Sequence, residues 1–595
     1  MNTLSQLRLV LNNWRLRQKN QRNFLMYCSV LVGLLGGLAA ITLKYLVQLL
    51  EDAGRHIAGQ NTFPFIYIFL PALGILLTVT YQHLINRDSI EKGIGSVLAN
   101  IKKNKANIKY NNMYSHLISS SLTVGLGGSS GLEAPIVCTG AAIGSNFGRM
   151  FNLSAYEKTV LLAAGASAGI AAVFNSPIAG VLFSLEILLG EVTIPTLIPL
   201  LIASATGVVV AKMLNSRQLF HLVTEGWKMY ALPFYIILGL LSGWLSVYIT
   251  KVAEYLEKGI LLKYNRYVRA LAGGVILGVI ILLFPPILGE GYHYVQEALN
   301  GNLDALKEGF FFADWLMYPA GMIAFVLALV LIKIVATGIT LGSGGNGGTF
   351  APTMFTGAFM GLLVAYSVNQ TGVIHLSVSN FIAVGMAGAL SGVLHAPLTA
   401  IFLIAEITGG YVLFIPLMIV SAISYIIARI SNEHNMYWHA LIHEKNIHPG
   451  HDYGMLNAIN LQSIIKPDYV TVSRHTPVND FYKILAESKA NIFAVTDAEG
   501  KLEGVIWLDE IRKQLFDANL AKASVADIMT QPPAVVDYQQ PVSTVMEMFD
   551  VLDVWRLPVV KEDKFIGFIS KSNLLNTYRQ LLIRQHKESD FFAHS

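Results

Sequence analysis

"AAGASAGIAAVFNSPIAGVLFSLEI" at residues 163–187 aligns without a gap to "AVGMAGALSGVLHAPLTAIFLIAEI" at residues 383–407. Gly165 matches Gly385, Pro177 matches Pro397 and Glu186 matches Glu406, each pair 220 positions apart (397 − 177). Upstream of each copy a Gly-rich turn leads into an apolar run, "GLEAP" at 131–135 and "GTFAP" at 348–352, 217 positions apart (348 − 131). Two nearly equal offsets indicate duplicated halves. Duplication with helices interrupted at matching positions is the pattern of membrane transporters, whose substrate site lies near the midplane where broken helix ends converge.

The composition agrees. Of 595 residues, 53% are hydrophobic and 13% charged, against about 25% charge in a soluble domain. Apolar runs fill residues 24–50, 64–86, 159–211, 231–250, 269–288, 315–340 and 380–428. Several reach the roughly 20 residues that cross ~30 Å of hydrocarbon. Others are broken by Gly and Pro, which a bilayer tolerates only where protein or a polar cavity satisfies the freed backbone. The expected fold is a polytopic helical bundle in a lipid bilayer, residues 24–445, in halves of about 24–215 and 231–445.

Residues 1–23 are basic (Arg8, Arg15, Arg17, Lys19, Arg22), which favours a cytoplasmic N-terminus and, with no A-x-A-like site following, gives no cleavable signal peptide. Cys28 and Cys138 lie in apolar surroundings and read as small core residues. A net charge of +4 gives no case for nucleic acid. No H-E-x-x-H, phosphate loop or metal cluster appears in the sequence, so neither an enzyme nor a required cofactor is expected.

Beyond about residue 451 the texture turns polar. Here "VTVSRHTPVNDFYKILAESKANIFAVTDAEGKLEGVIWLDEI" (470–511) parallels "AVVDYQQPVSTVMEMFDVLDVWRLPVVKEDKFIGFISKSNLL" (534–575). Each copy reads as β-α-β-β-α. The expected organisation is a linker at 446–465 and two modules at 466–520 and 521–585.

The chemistry is read from the turns. A helix N-terminus carries unpaired N–H groups and about half a positive charge, so several such ends aimed at one point bind an anion without a cationic side chain. Glu133, in "GLEAP", is a carboxylate placed where that anion would sit. An intramembrane acid is costly and usually functional. Two other readings compete with this one. Gly128-Ser129-Ser130-Gly131 spells the G-x-S-G of intramembrane serine proteases, with Ser130 as nucleophile and His395 as base, but His395 fills the repeat position of Asn175 and reads as a helix-start residue, and the duplication and Glu133 stay unexplained. A cation transporter needs carboxylates in several spans, and the membrane acids are few.

The membrane region resembles the CLC anion channels and anion/proton exchangers, and the tail resembles the CBS pair that many of them carry. The resemblance rests on "KGIGS" (92–96), "GLEAP", "FNSPIAGVLFSLE" (174–186) and "GGTFAP" (347–352), in the family's order. It implies a polytopic all-α membrane domain with inverted repeats and broken helices, followed by a cytoplasmic α/β CBS tandem. It further implies a homodimer with one pathway per subunit for chloride or another small anion, and both termini cytoplasmic, here in a bacterial inner membrane. Carried over by position, Glu133 is the gating glutamate, and protons enter as its ligands. Lys92, Gly93, Ile94, Gly131, Leu132, Thr349, Phe350 and Tyr437 are the anion-binding positions, with Trp438 in place of Tyr437 if the register slips by one.

Three departures from the family's pattern stand out. Lys92 takes the place of its anion-coordinating serine and Gly95 that of a proline; Lys92 either faces the pore or turns to the interface, and Ser96 is an alternative ligand. Ile187 takes the place of the internal proton-transfer glutamate of many exchangers. That favours a channel, with exchange through Glu186 as the alternative; a structural role is the other reading of Glu186. Leu132 and Ala134 replace an arginine and a glycine. In the CBS pair the nucleotide signature is degenerate. Gly567-Phe568-Ile569-Ser570-Lys571-Ser572-Asn573 keeps the hydroxyl of Ser570 but has Asn573 for the ribose-binding acid, and the first copy has Trp507 for the hydroxyl. One adenine nucleotide there and a purely structural pair are both expectations.

Overall fold

The computed structural model describes residues 21–59, 66–84, 93–103, 105–190, 194–214, 226–258, 264–308, 310, 313–445, 456, 459–465, 469–488, 490–512 and 523–581. The chain divides into two compact units at 447/448. Lys92 and the basic N-terminal residues up to Lys19 lie outside the described residues.

In the first unit eight helices among the described residues are long and apolar enough to cross a membrane, from Asn23–Gly54 to Phe414–Trp438. Four shorter apolar helices accompany them: Ile68–Leu84, Pro177–Leu189, Val378–Leu394 and Pro397–Ile407. The punctuation is local. Ser154 and Glu157 form a reciprocal capping box that starts Ala155–Phe174, Asn175 closes that helix in the left-handed region (φ 55°), and Pro177 opens the next at its first turn. The second repeat copies the break: His395 (φ 54°) closes Val378–Leu394 and Pro397 opens Pro397–Ile407. His395, read from sequence as a helix-start residue, is therefore a helix-end residue. Asn and His are among the few non-glycine types that tolerate this backbone region.

Each repeat packs its two central helices backbone to backbone. Gly140 lies against Gly165 and, in the second copy, Gly357 against Gly385, with no room for a Cβ at either crossing. Without water to squeeze out, membrane helices associate through such close contact. The two copies are not identical. Residues Ser184–Leu189 wind as a π-helix, whereas the matching Pro397–Ile407 stays α-helical throughout.

Among its described residues the second unit holds two three-stranded sheets. In the first, β1 (Thr471–Ser473) pairs parallel with β2 (Ile492–Thr496), and β2 antiparallel with β3 (Leu502–Trp507). In the other, β4 (Val536–Asp537), β5 (Arg556–Lys561) and β6 (Lys564–Ser570) repeat that order. The helices Val478–Glu487 and Val542–Leu552 make the parallel crossovers. Ile492, Ala494, Val505, Phe565 and Phe568 form one apolar cluster, so the modules share a core.

Candidate functional site between two helix ends

The two Gly-rich turns meet. Gly131 N–H donates to Gly348 O at 2.8 Å and Gly348 N–H to Gly131 O at 2.9 Å, a reciprocal antiparallel bridge between the repeats. From it Glu133–Met150 and Phe350–Asn369 set out, each with its Pro in the first turn. Reciprocal contacts of this kind are what a two-fold relation between the halves produces.

Glu133 is fully buried at this junction. Tyr292 donates its hydroxyl to Glu133 Oε1 at 2.6 Å. The amides of Glu133 itself and of Ala351 face the carboxylate, so it lies between helix ends from both repeats. Oε2 makes no hydrogen bond of ordinary geometry. Thr349 and Phe350 stand at the start of the second helix, with the Phe350 ring 5.6 Å from that of Phe174 and 6.3 Å from that of Phe183. Leu132 N–H points to Glu290 Oε1 at 3.2 Å.

Gly93 and Ile94 open the short helix Gly93–Lys103, and the backbone of Gly93 (φ 75°) is of the kind that favours glycine. Cys138, in the first helix of the site, donates its thiol to Gly93 O at 3.3 Å. Ser96 donates its own hydroxyl to Gly93 O at 2.8 Å, which places it inside its helix turn and not toward an anion. Tyr437 is buried, its hydroxyl facing Thr349, Glu133 and Cys138 without a hydrogen bond of ordinary geometry. Trp438 is only partly buried, and its amide shares Asn435 Oδ1 with that of Tyr437. The register therefore puts Tyr437, not Trp438, at the junction.

Glu186 lies elsewhere. Its oxygens accept from Leu398 N–H (3.1 Å), Thr399 N–H (2.7 Å) and Thr399 Oγ1 (2.6 Å), at the start of the helix opened by Pro397. Glu406 returns the contact, accepting from Ile178 and Ala179 N–H at 3.2 and 3.0 Å at the helix opened by Pro177. Each acid caps the other repeat's helix. Ile187 beside Glu186 is buried. Ser130 is buried with no hydrogen bond at Oγ, and His395 packs on Tyr425 at 5.8 Å, so neither has the pairing a nucleophile and base require.

Several polar residues at the junction escaped the sequence reading. Lys333, fully buried, donates to Ile287 O and Gly289 O at 2.8 Å each and so fixes the turn that presents Glu290 and Tyr292. Lys44 donates to Val173 O. Behind the Gly-rich approach to residue 348, Asn346 Nδ2 donates to Ser119 Oγ at 2.6 Å and meets His116 Nδ1 at 3.3 Å. The rule that an ionisable residue inside an apolar span is functional by default would have singled out Lys44 and Lys333.

In the second unit, Ser570 Oγ accepts from Asn573 N–H at 3.3 Å, a local cap for the helix at 571–581.

A family model described as voltage gated chloride channel matches residues 73–429. The chain belongs to that family, the CLC proteins. Two CBS domains match residues 461–516 and 525–579. The voltage-gated ClC-type chloride channel ClcB of Salmonella typhi is 27% identical over 426 residues, covering 69% of this chain and 97% of that one. Among solved structures, a slow cyanobacterial Cl−/H+ antiporter superposes with a TM-score of 0.60 at 20% identity, over 71% of this chain and 99% of that one. A CLC-type fluoride/proton antiporter gives 0.58 at 23%, over 70% and 97%. The protein is thus an integral membrane protein of CLC-type anion transport and not an enzyme.

Proposed function

We propose that this CLC protein conducts a small anion passively, along a pathway through the Gly131–Gly348 junction gated by Glu133. The observation that carries the reading is the position of the Glu133 carboxylate between the helix ends of both repeats. Those ends stabilise negative charge, so the carboxylate and a free anion compete for one place. Protonation removes the carboxylate's charge and with it the attraction that holds it there. Gly93, Ile94, Gly131, Leu132, Thr349 and Phe350 supply backbone and Tyr437 a hydroxyl; Lys92, the residue before Gly93 in sequence, is the candidate cation. The working assembly is a homodimer in a bacterial inner membrane with both termini cytoplasmic.

Conduction is preferred over exchange because Ile187 cannot carry a proton and both oxygens of Glu186 are already bonded. Anion/proton exchange is the second reading, favoured by the two solved neighbours, which are themselves antiporters. The deciding measurement is the reversal potential of reconstituted protein in opposed chloride and pH gradients. A value that follows chloride alone supports conduction, and one displaced by the pH gradient supports exchange. For the CBS pair the reading is structural, since Ser570 already serves its own helix. Heat on titration with ATP would assign an adenine nucleotide there instead.

A further inference from the structure

One turn grips the gate twice. Residues 289–292 read Gly-Glu-Gly-Tyr; Tyr292 holds the Glu133 carboxylate at 2.6 Å and Glu290 holds the amide of Leu132, the residue before it, at 3.2 Å. Lys333 pins the turn through Ile287 O and Gly289 O. The titratable groups facing Glu290 come from four elements: Glu133 of the helix Glu133–Met150, Lys44 and Glu51 of the first span, Lys333 of the span Pro319–Gly342, and Tyr292 on its own turn. Glu290 is partly buried on this turn and Glu133 buried at the neighbouring helix start, with Lys44 facing both. Carboxylates that share a site screened from water do not ionise independently.

Glu290 also occupies a telling place. The Leu132 N–H it accepts belongs to the unpaired amides at the start of the Glu133 helix, the donors an incoming anion needs. Its carboxylate blocks the amide beside Glu133 as Glu133 blocks the junction itself.

We propose that Glu290 is a second gate carboxylate in series with Glu133: the two share one proton, and the acid that holds it gives up its helix amides to the passing anion. Passing the proton from Glu290 to Glu133 breaks one O–H bond and forms another, leaving the pair's charge unchanged. Lys44, facing both acids, sets how readily the pair takes that proton.

The inference rests on Glu133 being the anion gate, and the test separates the two. Chloride efflux from proteoliposomes is measured against pH for wild type, Glu290→Gln, Glu290→Ala and Lys44→Met, with folding checked by size-exclusion chromatography. Glutamine keeps an acceptor for Leu132 N–H and cannot titrate. Losing the neighbouring negative charge makes Glu133 easier to ionise, so the Glu290→Gln midpoint moves to lower pH by about one unit, ~10-fold in proton concentration. Lys44→Met removes the cation and moves the midpoint to higher pH. A wild-type profile in Glu290→Gln overturns the proposal, as does an effect confined to Glu290→Ala, which would mark Glu290 as a mere cap. If Glu290→Gln does not fold, a Lys44→Met midpoint that stays put or falls overturns it equally. Absence of chloride efflux from wild type would instead sink the anion reading itself.

Discussion

Gly131 and Gly348 exchange both of their backbone hydrogen bonds, at 2.8 and 2.9 Å, across 217 positions of chain (348 − 131). The contact sets the separation of the two helix starts between which Glu133 lies. A Cβ on Gly348 would meet the Ala134 Cβ at 2.8 Å and the Ala134 amide nitrogen at 3.3 Å, both in the first turn of the opposing helix. Gly348→Ala must therefore push the two ends apart.

Overpacking of a tight interior contact costs about 1–3 kcal/mol. We expect Gly348→Ala to lower the melting temperature of the detergent-purified protein and to reduce anion flux together. Gly410→Ala is the control, because its nearest neighbour would be Val412 Cγ2 at 4.0 Å and its effect should stay within about 0.5 kcal/mol. Equal losses in the two variants would contradict the role given to the bridge.

Glu133→Gln mimics the protonated gate. Its flux should lose the step in pH dependence that belongs to Glu133 while remaining anion-selective, read as chloride efflux between acid and alkaline buffers; the dependence that stays belongs to Glu290. Tyr292→Phe tests the same gate from outside. The 2.6 Å bond to a carboxylate is of the charge-assisted kind, worth about 1.5–3 kcal/mol. Without it the carboxylate leaves its seat more easily, so flux at a fixed pH should rise roughly ten-fold or more. Unchanged flux would show that the bond does not hold the gate shut.

Duplication made the fold and half of the site readable from sequence. "GLEAP" and "GTFAP" announced two helix starts, and Pro177 with Pro397 announced two more, because Gly and Pro act on the backbone of their own neighbours. What lay beyond reach were contacts between segments far apart in sequence. Nothing in "GEGY" says that Tyr292 reaches Glu133, 159 residues away, or that Glu290 reaches Leu132, 158 away. The pairing of Gly131 with Gly348 was hidden for the same reason: a repeat shows that two turns are alike, not that they touch. His395 was misassigned because a left-handed residue one step before "AP" looks the same in sequence as one that begins the next helix.

In the CBS pair, Asp527 gives a pH dependence of known sign. The Ser524 amide donates to Asp527 Oδ2 at 2.8 Å and the Ser524 hydroxyl at 3.0 Å, and these bonds hold the carboxyl below its usual range. A lowered folded value means stability that is full above the unfolded value of about 3.9 and is lost as pH falls through the folded one. Hydrogen exchange on the full chain should show the helix Val525–Ile528 losing protection as pH drops below about 4. Asp527→Asn should be less protected at neutral pH and lack that acid step; an identical acid step in the variant would assign it to another group.

Glu186 and Glu406 offer the sharpest division between architecture and transport. Each carboxylate satisfies donors at the start of the other repeat's helix, four amides and the Thr399 hydroxyl in all, between 2.6 and 3.2 Å. Removing one acid leaves helix-start donors in an apolar part of the chain without an acceptor, each at a cost of about 1–3 kcal/mol. Glu186→Ala and Glu406→Ala should therefore destabilise the purified protein alike, and the pair should be non-additive because both brace one antiparallel contact. Glu186→Gln keeps an acceptor oxygen and loses only the ability to titrate. If Glu186 is a brace, Glu186→Gln should leave the reversal potential in opposed pH and chloride gradients where it was in wild type. A wild-type reversal potential displaced by pH that returns to the chloride value in Glu186→Gln would show that the proton does travel past Ile187, and that the helix cap is also its carrier.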